Sequence, residues 1–163
     1  MKRYKKVVVY YFSGTGNSFN VAFWIRQMAR EKGLECETVD IAELRPRSVE
    51  KPASDTLTLF VSPVHGFNYP PIMLGFLVRF PAGKGDVVLM NTRAGMKIGS
   101  WVTPGVSGAT FYFSALVLKC KGYSLKGMVP VDMPSNWISL HPGLNERTVR
   151  FIHRKMEMRV KKY

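Results

Sequence analysis

Between an apolar run, Val7 to Phe12, and a segment with helical spacing stands Ser13-Gly14-Thr15-Gly16-Asn17-Ser18, with two glycines, three hydroxyls and an amide in six residues. The glycines let backbone N–H groups turn inward. The hydroxyls and the positive end of a following helix then hydrogen-bond a phosphate dianion without any Lys or Arg. A Walker loop would need GxxxxGK[ST] and a dinucleotide fingerprint GxGxxG; Phe19 stands where the third glycine belongs, so neither is present. With no ligand, the same residues would make a tight turn and a capped helix.

The elements that must position this loop follow from periodicity. Val7 to Phe12 is continuous, β-branched and aromatic, as a strand covered on both faces requires. Val21, Ala22, Ile25, Met28 and Ala29 recur at helical spacing up to Gly33. Cys36 to Val39 and Thr56 to Val61 read as strands, separated by a polar, proline-bearing stretch from Arg45 to Ser54. Pro70 and Pro71 open a short helix through Phe80, and Asp86 to Asn91 reads as the next strand. Val106, Ala109, Phe113, Leu116, Val117 and Cys120 form a second helical stripe, ended by Gly122, that is expected to pack into the core. Met128 to Met133 is a last strand that Pro130 pushes to a sheet edge, and Val149, Ile152, Met156 and Val160 line a closing helix. Five strand–helix units imply an α/β protein with a right-handed parallel sheet between two helix layers. Ligands of such sheets bind at the carboxyl ends of the strands, where the loops starting at Ser13, Ser62 and Asn91 are expected to converge.

Composition bounds the rest. The 163 residues suit one domain, 1–163, and 46% hydrophobic with 21% charged residues is enough to build a core. Twenty-four Lys and Arg against eleven Asp and Glu leave +13, which attracts acidic proteins, polyphosphates or anionic lipid. Cys36 and Cys120 form no CxxC pair, fall on apolar positions and read as core residues, which argues against a zinc finger or an iron–sulfur cluster. His65, His141 and His153 share no ligand spacing, so no metal is expected. The six-residue apolar run after MKRYKK is short for a signal peptide, no stretch is long enough for a membrane span, and a cytoplasmic protein is expected.

YYFSGTGNS, a strand followed by [ST]-x-T-G-N-[ST], resembles the FMN-phosphate loop of the flavodoxins. SPVHGFNYPP and the MPSNW segment are similar, more narrowly, to the flavodoxin-like domains that anaerobes fuse to a ferredoxin-type domain with iron–sulfur clusters. The resemblance spans nearly the whole chain. It implies a three-layer sandwich with a five-stranded parallel sheet of order 2-1-3-4-5. A cysteine-rich cluster segment does not follow here, so any cluster is expected from another protein, and +13 is unusual beside the acidic flavodoxins.

The resemblance assigns the FMN phosphate to Ser13, Thr15, Gly16, Asn17 and Ser18. It places Pro63, Val64, His65, Gly66 and Phe67 beside the isoalloxazine ring, with the Gly66 backbone near flavin N5 and Phe67 and Tyr69 able to stack or to pack the loop. It gives the pyrimidine edge to a loop containing Asn91, Thr92, Arg93 and Gly95. If Arg93 or Lys97 stood about 7 Å from flavin N1, its attraction at an effective dielectric near 20 would be about 2 kcal/mol and would ease reduction. Trp101 and Trp137 are candidate cover or docking residues. The closing helix carries Arg147, Arg150, Arg154, Lys155, Arg159, Lys161 and Lys162 against Glu146 and Glu157; with no nucleic-acid motif in the chain, an acidic electron-transfer protein such as a ferredoxin is the expected partner. The function expected is one- or two-electron transfer through FMN. The alternatives are an FMN-dependent reductase of a quinone or similar acceptor and a non-redox anion-binding or regulatory module.

Overall fold

A computed structural model of the chain describes residues 4–44, 49–135 and 144–162. The elements run β1 (Lys6–Tyr11), α1 (Asn17–Glu31), β2 (Glu35–Asp40), β3 (Thr56–Pro63), α2 (Pro71–Arg79), β4 (Asp86–Gly95), β5 (Lys97–Ile98), β6 (Trp101–Val102), α3 (Thr110–Cys120), β7 (Ser124–Pro134) and α4 (Glu146–Val160). β1, β2, β3, β4 and β7 form one parallel sheet of order β2-β1-β3-β4-β7, which is 2-1-3-4-5 when its own strands are counted. β7 is an edge strand, as Pro130 requires, since proline has no N–H for a ladder on both sides. No helix among the described residues is long and apolar enough to cross a membrane.

The alternation of β1, β3 and β4 sorts their side chains onto two faces. On one face Val7, Val9, Leu59, Val61 and Met90 pack against Val21, Trp24 and Ile25 of α1 and Ile152, Met156 and Val160 of α4. On the other, Val8, Tyr10, Phe60 and Leu89 pack against Met73 and Leu77 of α2 and Leu118 of α3. The second cluster is strongly aromatic: Tyr10, Phe60, Phe76 and Phe80 lie with ring centroids between 5.0 and 6.3 Å apart, mostly tilted or edge-on. α1 ends as expected at Gly33, whose φ of 71° lets its own N–H bond the Arg30 carbonyl while that of Leu34 reaches Ala29. Cys36 is half-buried on β2 beside the first cluster, and burial raises its thiol pKa.

Three expectations change. Five strand–helix units are expected, whereas the described residues hold four helices, with none in the polar stretch between β2 and β3. The segment from Asn91, expected to be a loop, stays in β4 through Gly95 because β7 supplies ladder partners out to Gly95↔Pro134; the hairpin β5–β6 then follows. Gly95 permits this crowding, since a Cβ there would stand 2.9 Å from Val102 Cγ1 and 3.0 Å from Asp132 Cβ. The third concerns α3. Its buried residues are Thr110, Ser114, Ala115 and Leu118, whereas Val106, Phe113, Leu116 and Cys120 of the predicted core stripe are exposed. α3 is apolar nearly all round, so periodicity cannot choose its inner face; small Ser114 and Ala115 approach the sheet closely and settle the rotation.

That rotation has a direct check. Leu118→Ala should lower stability in urea by roughly 2–5 kcal/mol, whereas Leu116→Ser should stay within about 0.5 kcal/mol. The reverse ranking would show that α3 is turned the other way. His153 packs edge-on against Trp24 with centroids 5.9 Å apart, and burial lowers its pKa below the usual 6.5. The unfolded chain therefore takes up that proton more readily. Its contribution is intact above pH 6.5 and is lost as pH falls from there toward the depressed native pKa. His153→Gln should shrink the difference in urea midpoint between pH 7.5 and pH 5.

Candidate functional site

β1 delivers its carboxyl end into Ser13-Gly14-Thr15, and Gly16 caps α1 in the left-handed region at φ 90°. The cap is bare: Gly16 contributes no side-chain hydrogen bond and no acidic residue stands in the first turn. The first intrahelical bond runs from Asn20 N–H to Gly16 O at 2.9 Å, which leaves the amides before it to point forward as a site for negative charge. Among the described residues Ser13 Oγ is buried without a hydrogen-bond partner. Ser18, also buried, shares a hydrogen bond with Thr92 Oγ1 at 2.9 Å; whichever hydroxyl accepts keeps its own proton to donate elsewhere. Asn17 Nδ2 donates to Pro134 O at 2.9 Å and straps the loop to the end of β7.

A cavity of about 460 Å³ opens above these groups. Its floor is the loop at Ser13–Ser18; its walls are Pro63-Val64-His65-Gly66 after β3, Thr92-Arg93-Ala94 of β4, and Pro134-Ser135 after β7. The sheet topology explains the meeting, because all four segments leave adjacent parallel strands at the same end. Val64 N–H donates to Thr92 O at 3.0 Å and holds the two side walls together.

His65 to Asn68 form a two-residue turn closed by both backbone bonds, His65 N–H to Asn68 O at 2.8 Å and Asn68 N–H to His65 O at 3.1 Å. Gly66 at φ 54° and Phe67 at φ 63° are both left-handed, the geometry that favours glycine. Phe67 incurs a cost of roughly 1–2 kcal/mol there. The start of α3 compensates: Ala109 N–H donates to Phe67 O at 2.7 Å, and Gly108 lies so close that a Cβ would fall 2.2 Å from that oxygen.

Of the residues that the sequence singles out, Ser13, Thr15, Asn17, Ser18, Pro63, Val64, His65, Gly66, Thr92 and Arg93 line the cavity. Gly16 stands behind them as the helix cap. Phe67 faces solvent, Asn91 is fully buried and Gly95 packs on Val102 and Asp132, so these three lie outside the lining. Tyr69 cannot stack on a ligand: it is buried in the core, its hydroxyl donates to Met90 O at 2.8 Å, and burial raises its pKa. Trp101 is exposed on the hairpin, while Trp137 and His141 lie outside the described residues. Sequence reasoning missed Gly14, Ala94, Pro134 and Ser135 as cavity residues; the MPS of MPSNW was the available signal for the last two.

The two cations near the site both have partners. Arg93 Nε lies 2.6 Å from Asp132 Oδ1 and its Nη1 donates to Ser107 Oγ at 3.1 Å. Lys97 Nζ sits 5.2 Å from the Phe151 ring centroid on α4. Arg159 also reaches Asp132, at 3.3 Å, so one buried carboxylate stands between two guanidiniums and holds Arg93 in place at the cavity wall.

No protein-family model matches the sequence, and no curated protein matches it. Solved structures do match over nearly the full chain. The two-electron reduced Megasphaera elsdenii flavodoxin aligns with TM-score 0.60 and 17% identity, covering 93% of this chain and 98% of that one. Rubredoxin oxygen:oxidoreductase from Desulfovibrio gigas aligns with TM-score 0.61 and 15% identity, over 99% of this chain and 37% of that one. The azoreductase of Bacillus anthracis aligns with TM-score 0.58 and 11% identity, over 98% and 100%. The chain therefore has the flavodoxin fold, with the sheet order that the resemblance of its motifs implies.

The clamp on the 66–67 turn is testable in the protein alone. Gly108→Ala, which meets both the Phe67 carbonyl and a φ of +56°, should cost about 3 kcal/mol. Phe67→Gly, which removes an exposed ring and the left-handed penalty, should melt no lower than the parent. A loss of more than about 5 °C in Phe67→Gly would show that the ring supports the fold.

Proposed function

We propose that this chain is an FMN-binding electron-transfer protein that exchanges electrons with an acidic redox partner. The observation that carries the proposal is the bare amino end of α1 beneath a cavity of about 460 Å³, with the buried Ser13 hydroxyl, unpartnered among the described residues, on its floor. That donor set suits a phosphate ester: inward amides, Ser13, Thr15 and the Ser18–Thr92 hydroxyl pair, with no cation in the loop. The volume lies in the range of small-molecule and cofactor sites. FMN bound there would supply reversible one- or two-electron reduction. The protein's part is to grip the phosphate, to hold the ring between the 63–66 wall and the 92–94 wall, and to present Gly66, whose peptide can hydrogen-bond a ring nitrogen. The neighbours' names support the reading, since flavodoxins recur among them.

Titration with FMN and with riboflavin tests the phosphate grip. FMN fluorescence should be quenched on binding at least tenfold more tightly than riboflavin's, the difference being the charge-assisted bonds to the phosphate. Ser13→Ala should weaken FMN by roughly tenfold, about 1.4 kcal/mol, and leave riboflavin unchanged. Equal affinity for the two flavins, or none for either at millimolar excess, would overturn the proposal. Rapid turnover with NAD(P)H and no protein partner would move the function to a reductase.

A further inference from the structure

We infer that the outer face of α3, joined to Phe67, is the surface on which an acidic redox protein docks; this rests on the electron-transfer reading above and says where that transfer takes place. α3 begins at the carbonyl of Phe67, to which Ala109 N–H donates, and its eleven residues extend about 16 Å from there. Phe67 is 65% exposed, and along the helix Tyr112, Phe113 and Leu116 are 77%, 43% and 61% exposed. They continue one apolar strip that starts beside Gly66, a wall of the cavity. None of the four is needed for the core, which α3 meets through Ala115 and Leu118. Phe67 is moreover kept in a left-handed conformation by Gly108, so an exposed ring is presented at a conformational cost.

Charge selects the occupant. From residue 56 to 131 the sequence holds one acidic residue, Asp86, which is buried, accepts a hydrogen bond from Tyr4 and lies 3.5 Å from Lys126. Lys119 lies exposed one turn beyond Leu116. The strip thus has an exposed cation at its far end and no exposed acid from that whole stretch. A second copy would bring two chains of +13 face to face, whereas a partner with an apolar centre and a carboxylate rim meets opposite charge at Lys119 and in the net charge of the chain.

The test uses the FMN-loaded protein and a purified acidic two-[4Fe–4S] ferredoxin. Binding is read by calorimetry at low salt, and electron exchange by stopped flow, each electron lost by a cluster being gained by the flavin. Tyr112→Ser and Leu116→Ser should keep the parent's melting temperature and yellow colour, yet bind ferredoxin about tenfold more weakly and exchange electrons correspondingly slowly. Reduction by dithionite, which needs no docking face, should be unchanged. Arg154→Ser, on α4, should alter ferredoxin binding less than twofold. A yellow wild type that does not bind ferredoxin, α3 variants that bind normally, or a larger loss in Arg154→Ser would each overturn the assignment. So would a wild-type dimer dissolved by Leu116→Ser, which would give the strip to a second copy. A colourless wild type would instead sink the flavin reading beneath it.

Discussion

The ion pair between Arg93 and Asp132 organises the site end of this molecule. Asp132 is nearly inaccessible on the edge strand, and its two oxygens take Arg93, the Gly105 amide at 2.8 Å and Arg159 at 3.3 Å. A buried carboxylate loses more by desolvation than a single ion pair returns, and it is tolerated because each oxygen is occupied. The consequence is geometric. Arg93 also holds Ser107, so the chain leaving the hairpin is pulled across the end of β4, with Gly105 seated so closely on Ala94 that a Cβ would stand 2.4 Å from its carbonyl oxygen. From that crossing follow the position of Gly108, the clamp on the 66–67 turn and the point where α3 begins.

The same carboxylate fixes the one cation that, among the described residues, lines the cavity wall. The cation on the cavity wall is tied to a carboxylate, and the groups that meet the cavity at the amino end of α1 are amide dipoles and hydroxyls. Dipoles fixed by a helix do not collapse onto a ligand or stray into solvent as a lysine does, and they hold their direction whether or not the site is filled.

The two helix layers divide the remaining work. α4 turns Arg147, Arg150, Arg154 and Lys155 outward, with Arg150 paired to Glu146, and lends Arg159 to Asp132, while Ile152, Met156 and Val160 face the sheet. α2 and α3 contain one basic residue in the last turn each and no acid, and they cover the sheet's most aromatic face. One layer is a solvated charged surface. The other keeps apolar residues on both sides, which is the composition of a helix with something still to cover it.

Much of this was legible before any coordinates. β1, β3 and α1 carry unambiguous periodicities, Gly33 and Gly122 mark helix ends, Pro130 marks an edge strand, and the strand-loop-helix run at Ser13–Ser18 is legible because its residues are local to six positions. What only the tertiary structure decided involves partners distant in sequence. Polar Asn91–Gly95 became strand because β7 supplies ladder partners forty residues on; Tyr69 left the site because Met90 O was waiting in the core; Arg93 ceased to be a free cation because Asp132 faces it. α3 shows the limit most plainly. An apolar run determines that a helix will form, but where apolar residues stand all round, its rotation is chosen by which small side chains fit the sheet, and that is a property of the assembled surface rather than of the run.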